Sequence, residues 1–524
     1  MLLWLIACNP NKNIDSSALP ADIHFGEVGA LSGDNGKNSF RFGASTAATQ
    51  IEDGNINTDW YYWTLPTNEG GAGEGIFIAD AVQGYRKAID DVQLMRAMNL
   101  DAYRFSMSWS RIEPQRDVIV ESELEHYDAF LQELHNQGIQ PMVTVHHFSN
   151  PIWTYNFLEG CPETGWTDEN LCGWADDEGV EQILEEIAEH GALLATRYGD
   201  KVDEWCTVNE PVNYLLASYG MGVFPPGESN LFGNFERLTK AMRNIIRAHV
   251  VLYDAIKAND TIDADGDGVA AHVGLSLSIA DWVAVRDGEL SDNPEDIAAA
   301  QRTRYIYHQL FPNSILEGKF DADLDQVAEE EYPDWTGKLD WMGLQYYFRA
   351  GVTGKVALIP GIDGMICLNG FEALSGGACL NIPDESKWVP SMGYEFYEEG
   401  FGNLLMEYSQ QYPNLPFVVT ESGIATNVGE RRAENIVRSL EQIALAQEQG
   451  ADIRGYYHWS LTDNFEWAEG YEPRFGLYQV DHQTYDRSAT LGATVLGEIA
   501  KEKMVTGSHR QLYGGTGPMT AEVE

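Results

Sequence analysis

Apolar, β-branched segments alternate along the chain with amphipathic segments of helical period. Between the apolar segments, patterns such as residues 181–199 and 434–450 predict helices, and the second ends in the glycine expected after a helix. Eight apolar segments predict strands, at residues 39–46, 100–109, 139–147, 203–211, 272–279, 339–347, 416–422 and 453–460. Eight strand and helix repeats predict an α/β fold, a closed (β/α)8 TIM barrel.

The chain length fits one barrel with long βα loops. Its 524 residues exceed the usual size of this fold, but such loops absorb the surplus without a second core. Neither a Pro/Ser-rich linker nor a change in composition marks another domain. We predict a barrel domain over residues 21–505, a separate N-terminal segment over 1–20, and a flexible tail over 506–524, which is rich in Gly and small polar residues.

Two glutamates stand directly after apolar runs. Glu210 lies in TVNEP and Glu421 in VTESG, at the ends of two predicted strands. Barrel enzymes assemble their sites at the C-terminal ends of strands, so both carboxylates are candidates for one pocket. Paired carboxylates can cleave a glycoside, one attacking carbon while ionised and the other donating its proton to the leaving oxygen. Taken alone, each glutamate also fits a helix cap or an ion-pair partner.

Further motifs in order along the chain resemble the family 1 glycoside hydrolases, retaining β-glycosidases that include the β-glucosidases. These are FGASTAATQIEDG, YRFSMSWSRI, TVHHF, TVNEP, the QYY segment, VTESG and HWSLTDNFEWAEGYEPRFGL, and together they extend over residues 40–500. The resemblance implies that Glu421 is the nucleophile and Glu210 the acid/base, with Arg104 and Tyr347 orienting the nucleophile. It implies that the sugar is bound by polar and aromatic side chains, namely Gln50, His147, Asn209, Trp459, Glu466 and Trp467. It implies no cofactor and no metal ion.

The residue types suit this chemistry on physical grounds. A cation and a hydroxyl donor such as Arg104 and Tyr347 are expected to keep the pKa of Glu421 low. The pKa of Glu210 should be raised by the neighbouring carboxylate and fall once Glu421 is esterified. Tryptophans suit the apolar faces of sugars, and polar side chains suit their hydroxyl rims.

Several positions depart from the family pattern. Ser422 and Gln345 stand where the family has asparagine, and Phe148 stands where it has tryptophan. None of these changes removes a carboxylate. Met392 occupies an aglycone-side position where many relatives carry tryptophan, which suggests tolerance of varied leaving groups.

The predicted activity is hydrolysis of β-glucosides such as cellobiose, short oligosaccharides and other glycosides, with some β-galactosidase or β-fucosidase activity. A transglycosylase, in which an acceptor sugar replaces water, is one alternative. A catalytically inactive glycan-binding protein on the same barrel is another, because fold does not guarantee chemistry. The oligomeric state is left open.

The charge balance excludes some partners. Lys and Arg number 33 against 81 Asp and Glu, a net charge of −48. Such a surface repels nucleic acids and anionic membranes. It suits salty surroundings, where screening relieves self-repulsion, although a low-salt origin is also compatible with it.

Cysteine spacing predicts two local disulfides. Cys161 and Cys172 bracket a loop after the third strand, and Cys367 and Cys379 bracket another after the sixth. Cys206, on a predicted strand, is expected to be a buried free thiol.

The N-terminal segment MLLWLIAC resembles a lipoprotein cleavage box with Cys8 as the lipidated residue, although it lacks a positively charged region. We therefore expect export to the periplasm, the cell envelope as a lipoprotein, or the extracellular medium.

One acidic turn partly matches a calcium loop. Asp263, Asp265, Asp267 and Gly268 fit its first half, but position twelve is Gly274 instead of glutamate. A solvated acidic turn is the preferred interpretation, with calcium as the alternative.

Overall fold

The computed structural model describes residues 19–26, 28, 39–367 and 385–522. A closed parallel barrel forms its centre, as the sequence predicts. Its strands, β1 to β8, are Arg41–Ser45, Ala102–Ser106, Gln140–His146, Glu204–Asn209, His272–Arg286, Trp341–Thr353, Phe417–Ser422 and Ile453–Trp459. Each strand pairs in parallel with the next, and β8 pairs with β1 to close the barrel.

A ring of helices covers the barrel, one after each strand. These helices, α1 to α8, are Ala88–Ala97, Glu121–Asn136, Gly179–Tyr198, Phe235–Asn259, Pro294–Arg304, Glu398–Gln411, Gly429–Glu448 and Leu491–Glu502. Helix α5 continues through a π-helical turn, Tyr305–Gln309, into Leu310–Glu317. Shorter helices in the loops are Ala48–Ile51, Asp59–Thr64, Trp109–Ile112 and Pro211–Leu215.

The strands are buried on both faces, which explains why they appear in the sequence as continuous apolar runs. Inside the barrel, a small core consists of Ala102, Met142, Cys206, Trp341, Val418 and Tyr457. A much larger core lies between the barrel and its helices. At the N-terminal end of the barrel, Arg41 forms a buried ion pair with Glu204. Loops that follow the strands cover the opposite, C-terminal end of the barrel.

Strands β5 and β6 extend well beyond their predicted ends at residues 279 and 347. After an irregularity between Tyr346 and Arg349, the two strands pair again above the barrel, from Arg349 opposite Asp281 to Val352 opposite Ala284. The predicted ends lie at the barrel rim, where the irregularity interrupts the alternation of inward-facing and outward-facing side chains. This extension forms one wall above the C-terminal end of the barrel.

The prediction of a flexible C-terminal tail is wrong for the described part of that segment. Residues Gly507–Tyr513 form a helix, and the Thr506 side chain caps its first turn. Beyond it, Gly515 donates from its backbone to Glu441 at 2.7 Å and Thr520 donates to Glu434 at 2.7 Å. The segment follows α7 because the charged side chains of that helix are buried and require polar partners, a tertiary effect that local composition does not report.

The cysteine predictions have different outcomes. Cys161 and Cys172 form a disulfide, with Cα atoms 5.0 Å apart, and Cys206 is a buried free thiol. Both predictions are confirmed. Cys367 is disulfide-bonded, but Cys379 lies outside the described residues, so that pairing stays a prediction.

The acidic turn that partly matches a calcium loop uses its carboxylates internally. Asp263 accepts backbone N–H groups from Gly266 at 2.7 Å and Gly268 at 2.9 Å. Asp267 contacts the ring of His272 at 2.7 Å. The bonds to Asp263 are those of a turn cap, but ligand oxygens of Asp203, Asp263 and Asp265 also lie within 4.8 Å of one another, so the calcium alternative stays a prediction.

Cys8 lies outside the described residues, so lipid attachment there stays a prediction. Within the described part of the chain, no helix combines the length and the apolar character needed to cross a bilayer.

Candidate active site

The loops at the C-terminal end of the barrel enclose a cavity of about 320 Å³. Most of the predicted site residues line it: Gln50, His147, Asn209, Glu210, Tyr347, Met392, Glu421, Trp459, Glu466 and Trp467. Arg104 lies beneath the cavity floor, fully buried in β2. The structure therefore brings together, in one place, residues that are up to several hundred positions apart in sequence.

Glu421 lies near the end of β7 and is held at both carboxylate oxygens. Arg104 donates to its Oε1 at 2.6 Å, and the Tyr347 hydroxyl donates to its Oε2 at 2.6 Å. Burial nevertheless raises the pKa of Glu421 above its ordinary value, against the opposing effects of Arg104 and Tyr347. The expectation of a low pKa is thus wrong in direction, because the desolvation of a fully enclosed carboxylate outweighs its two partners.

Glu210 follows β4 directly and stands at the start of helix Pro211–Leu215. Its backbone is left-handed, with φ 37° and ψ 58°, a conformation that is costly for a residue other than glycine. Burial raises the pKa of Glu210 to about 8, and the charge of Glu421 contributes further to the rise. Asn213 donates to its Oε2 at 3.0 Å. Glu210 therefore holds its proton at pH values where an ordinary glutamate has lost it.

The two carboxyls thus differ in their surroundings. Glu421 faces a guanidinium and a phenol, whereas Glu210 faces a neutral amide and the charge of Glu421. Glu421 is therefore the first of the pair to ionise, and Glu210 the one that retains a proton. Such a pair can supply one nucleophile and one acid.

Asn209 is fixed in one orientation by two donors. Arg104 and Gln345 donate to its Oδ1 at 2.5 and 2.8 Å, so its Nδ2 points the other way, 3.1 Å from His147 Nε2. Gln345 is one of the departures from the family pattern, and its amide makes this contact. Burial and the charge of Arg104 lower the pKa of His147 well below its ordinary value, so its ring is neutral.

A second group of side chains forms the inner end of the cavity. Gln50 donates to the Phe465 carbonyl at 2.9 Å and to Glu466 Oε2 at 3.4 Å. The rings of Trp459 and Trp467 each lie 6.1 Å from the His147 ring in near-parallel orientation. Burial, followed by the charges of Glu469 and Glu421, raises the pKa of Glu466 well above its ordinary value. These groups combine flat apolar surfaces with hydrogen-bonding groups.

The other two departures have structural explanations. The Ser422 hydroxyl lies 3.4 Å from that of Ser439 on α7 and thus faces the helix layer. Phe148 has a φ of 60°, packs against Tyr214 with ring centres 5.9 Å apart, and lines the cavity.

Sequence reasoning missed part of the cavity wall. The additional lining residues include Asn213, Ser278, Tyr307, Phe348, Tyr394 and Glu469. Asn213 had a recognisable signal, since it follows Glu210 by three positions at the start of a helix and therefore shares its face. Ser278 lies within the predicted part of strand β5, and Phe348 lies one position beyond the predicted end of β6. Tyr307 lies in the π-helical turn after α5, and Tyr394 and Glu469 lie in short segments between the barrel elements, whose path the local sequence does not indicate.

A parallel barrel with two differently held carboxyls and paired tryptophans at its C-terminal end is the arrangement of a sugar-cleaving barrel enzyme. Comparisons with known proteins agree. Residues 34–504 match the model of glycosyl hydrolase family 1. The chain therefore belongs to glycosyl hydrolase family 1, and it is a β-glycosidase of that family.

The names of the matched relatives differ in the activity that they give. A β-galactosidase of Pyrococcus woesei is 30% identical over 496 residues, covering 86% of this chain and 93% of the relative. A β-glucosidase of Agrobacterium sp. is 28% identical over 480 residues, covering 86% and 92%. Among solved structures, a β-glycosidase from Pyrococcus horikoshii superposes with a TM-score of 0.74 at 28% identity, covering 91% of this chain and 97% of that one.

Proposed function

We propose that this protein is a retaining β-glucosidase that removes terminal β-D-glucosyl residues by double displacement. The observation that carries the proposal is the difference between the two carboxyls, one held by Arg104 and Tyr347 and the other with a pKa of about 8. A pair of carboxyls whose surroundings separate their protonation is what this mechanism requires.

In the first step, ionised Glu421 attacks the anomeric carbon and forms a bond to it. The bond from that carbon to the leaving oxygen breaks, and Glu210 transfers its proton to that oxygen. In the second step, Glu210, now ionised, takes a proton from water while the water oxygen attacks the same carbon. The ester bond to Glu421 breaks, and the sugar leaves with its original anomeric configuration.

Variants of the two carboxyls test this assignment. Glu421→Ala should abolish turnover of all β-glucosides, because it removes the carboxylate that forms the intermediate. Glu210→Ala should retain the first step for activated leaving groups, which depart without a proton, and lose it for alkyl glucosides. If Glu421→Ala retains near-native turnover, or if Glu210→Ala affects both leaving groups equally, the assignment fails.

Activity with a chromogenic β-glucoside also separates this proposal from that of an inactive glycan-binding protein. Product analysis with an added acceptor sugar separates hydrolysis from transglycosylation. The relatives include a β-galactosidase and a β-glucosidase, so a panel of β-glucoside, β-galactoside and β-fucoside is the specificity test. The highest kcat/KM for the galactoside would contradict the glucosidase assignment.

The outer part of the cavity supports an apolar aglycone. Leu216, Met221, Val223, Phe348 and Met392 line it, and they offer packing surface without hydrogen-bond donors in their side chains. Burial of an aryl or alkyl group there contributes favourable free energy, whereas burial of a second sugar costs the free energy of removing water from its hydroxyls. We therefore expect kcat/KM for an octyl β-glucoside to exceed that for cellobiose, and the reverse order would contradict this expectation.

The proposal includes export to an oxidising compartment. The Cys161–Cys172 disulfide supports it, because thiols in the cytosol are kept reduced. Cell fractionation tests the proposal: activity should follow a periplasmic, envelope or extracellular marker, and recovery with a cytosolic marker would contradict it. Incorporation of labelled palmitate by the native chain, but not by Cys8→Ala, would identify a lipid anchor.

A further inference from the structure

Asn213 donates a hydrogen bond to the Glu210 side chain. Helix Pro211–Leu215 begins immediately after Glu210, so Asn213 stands three positions further on and on the same face. Its Nδ2 donates to Glu210 Oε2 at 3.0 Å. Asn213 is half-buried in the cavity wall, beside the carboxyl whose proton the reaction uses.

The two oxygens of Glu210 are not equivalent. Oε2 receives the Asn213 bond, whereas Oε1 is buried and receives no hydrogen bond from the described residues. An amide N–H can only donate, so it occupies Oε2 as an acceptor and leaves the acidic proton to Oε1. The side chain of Ser278, also in the cavity wall, is a second hydrogen-bonding group beside Glu210 and lowers the pKa of Glu210 more weakly than Asn213 does.

We propose that Asn213 is a positioning residue that holds Glu210 by Oε2 and directs the proton on Oε1 towards the leaving oxygen. The inference rests on the proposed function, since it assigns Asn213 a part in the acid step of that reaction. The same bond serves the second step, because a donor to the carboxylate stabilises the ionised form that acts as base.

Two substitutions at position 213 test the role to different degrees. Asn213→Ala removes the donor, and Asn213→Asp replaces it with a like charge of similar shape. The Asn213 bond lowers the pKa of Glu210. Its loss should therefore move the alkaline limb of kcat/KM upward by about 0.5–1 pH unit in Asn213→Ala, and further in Asn213→Asp.

Leaving groups provide a readout that a purely structural role would not affect. In Asn213→Ala, kcat/KM for an alkyl β-glucoside should fall roughly tenfold, a fraction of the 10²–10⁴ that a general acid supplies. For a dinitrophenyl glucoside it should stay within about twofold, because that group leaves without a proton. Asn136→Ala is the matched control. It removes an exposed asparagine that lies outside the cavity and donates to Glu133 at 3.5 Å, and it should leave the pH profile and the leaving-group ratio unchanged.

The outcome for Asn213 is separable from the outcome for the proposed function. One outcome would overturn the positioning role and leave the proposed function standing. In it, Glu210→Ala shows the leaving-group pattern, but Asn213→Ala lowers kcat/KM equally for the alkyl and the dinitrophenyl glucoside. The alkaline limb and the thermal stability of Asn213→Ala are then those of the native protein. If Glu210→Ala lacks the pattern, the assignment of Glu210 fails and the role of Asn213 fails with it.

Discussion

At the residue scale, the two glutamates share a cavity but differ in what contacts them. Their positions follow from the sequence, because each stands at the end of an apolar run inside a specific motif. The direction of the Glu421 pKa shift does not, since it depends on burial by loops from elsewhere in the chain. For Asn213 the spacing of three positions from Glu210 is a signal in the sequence, but the left-handed backbone at Glu210, from which that helix starts, is not.

The pH dependence of the reaction follows from the Glu210 carboxyl. Its pKa is raised to about 8, and only its protonated form can donate to the leaving oxygen. We therefore expect kcat/KM for an alkyl glucoside to be maintained up to about pH 8 and to fall at higher pH. A dinitrophenyl glucoside, which needs no proton, serves as the control and should lack that limb. A fall centred near pH 4–5 would show that Glu210 has the pKa of an ordinary glutamate.

Glu466 is expected to select a neutral sugar. It can accept hydrogen bonds from two adjacent hydroxyls, whereas a 6-phosphate would find Glu210, Glu421 and Glu469 and no lysine or arginine among the described residues that line the cavity. We predict that Glu466→Ser lowers kcat/KM for a β-glucoside about 100-fold through loss of these bonds. The control Glu472→Ser, at an exposed position, should change it by less than about twofold. A higher kcat/KM of the native protein for glucoside 6-phosphate than for the unphosphorylated glucoside would contradict the prediction of a neutral sugar.

At the element scale, the eight strands and their order were predictable, because each strand of a parallel barrel is buried on both faces and appears as an apolar run. What could not be predicted depends on tertiary contacts. The extensions of β5 and β6 pair with each other above the rim and also with short strands at Glu289–Leu290, Met365–Cys367 and Tyr394–Glu395. The C-terminal segment is ordered by charged groups on α7. Neither feature has a distinctive local composition.

The C-terminal segment gives a prediction about stability. A chain ending at Val505 would leave the buried carboxylates of Glu434 and Glu441 without their backbone donors from Thr520 and Gly515. Each lost donor removes part of the compensation for a buried charge, so the thermal midpoint should fall by several degrees, corresponding to about 2–4 kcal/mol. A chain ending at Glu522 is the matched control and should unfold like the native protein. Equal midpoints for all three chains would mean that the segment contributes no stability.

At the scale of the whole molecule, the net charge of −48 is the dominant property. Self-repulsion among these charges opposes the compact state, and salt shortens its range from about 10 Å at 0.1 M to about 3 Å at 1 M. We predict that the thermal midpoint rises by several degrees between 0.05 and 1 M NaCl. Because sucrose stabilises by exclusion and not by screening, a sucrose series of equal osmolarity is the control. A midpoint that responds equally to both solutes would contradict the electrostatic explanation.

The central claim is that Glu421 becomes covalently bonded to the sugar. The direct measurement is peptide mass mapping after brief reaction with a 2-deoxy-2-fluoro-β-glucosyl fluoride, whose glycosyl-enzyme is hydrolysed slowly. The account predicts one added fluoroglucosyl group, on the peptide that contains Glu421, and none in Glu421→Ala. Labelling of Glu210 instead, or unlabelled protein together with release of the inverted sugar, would contradict it.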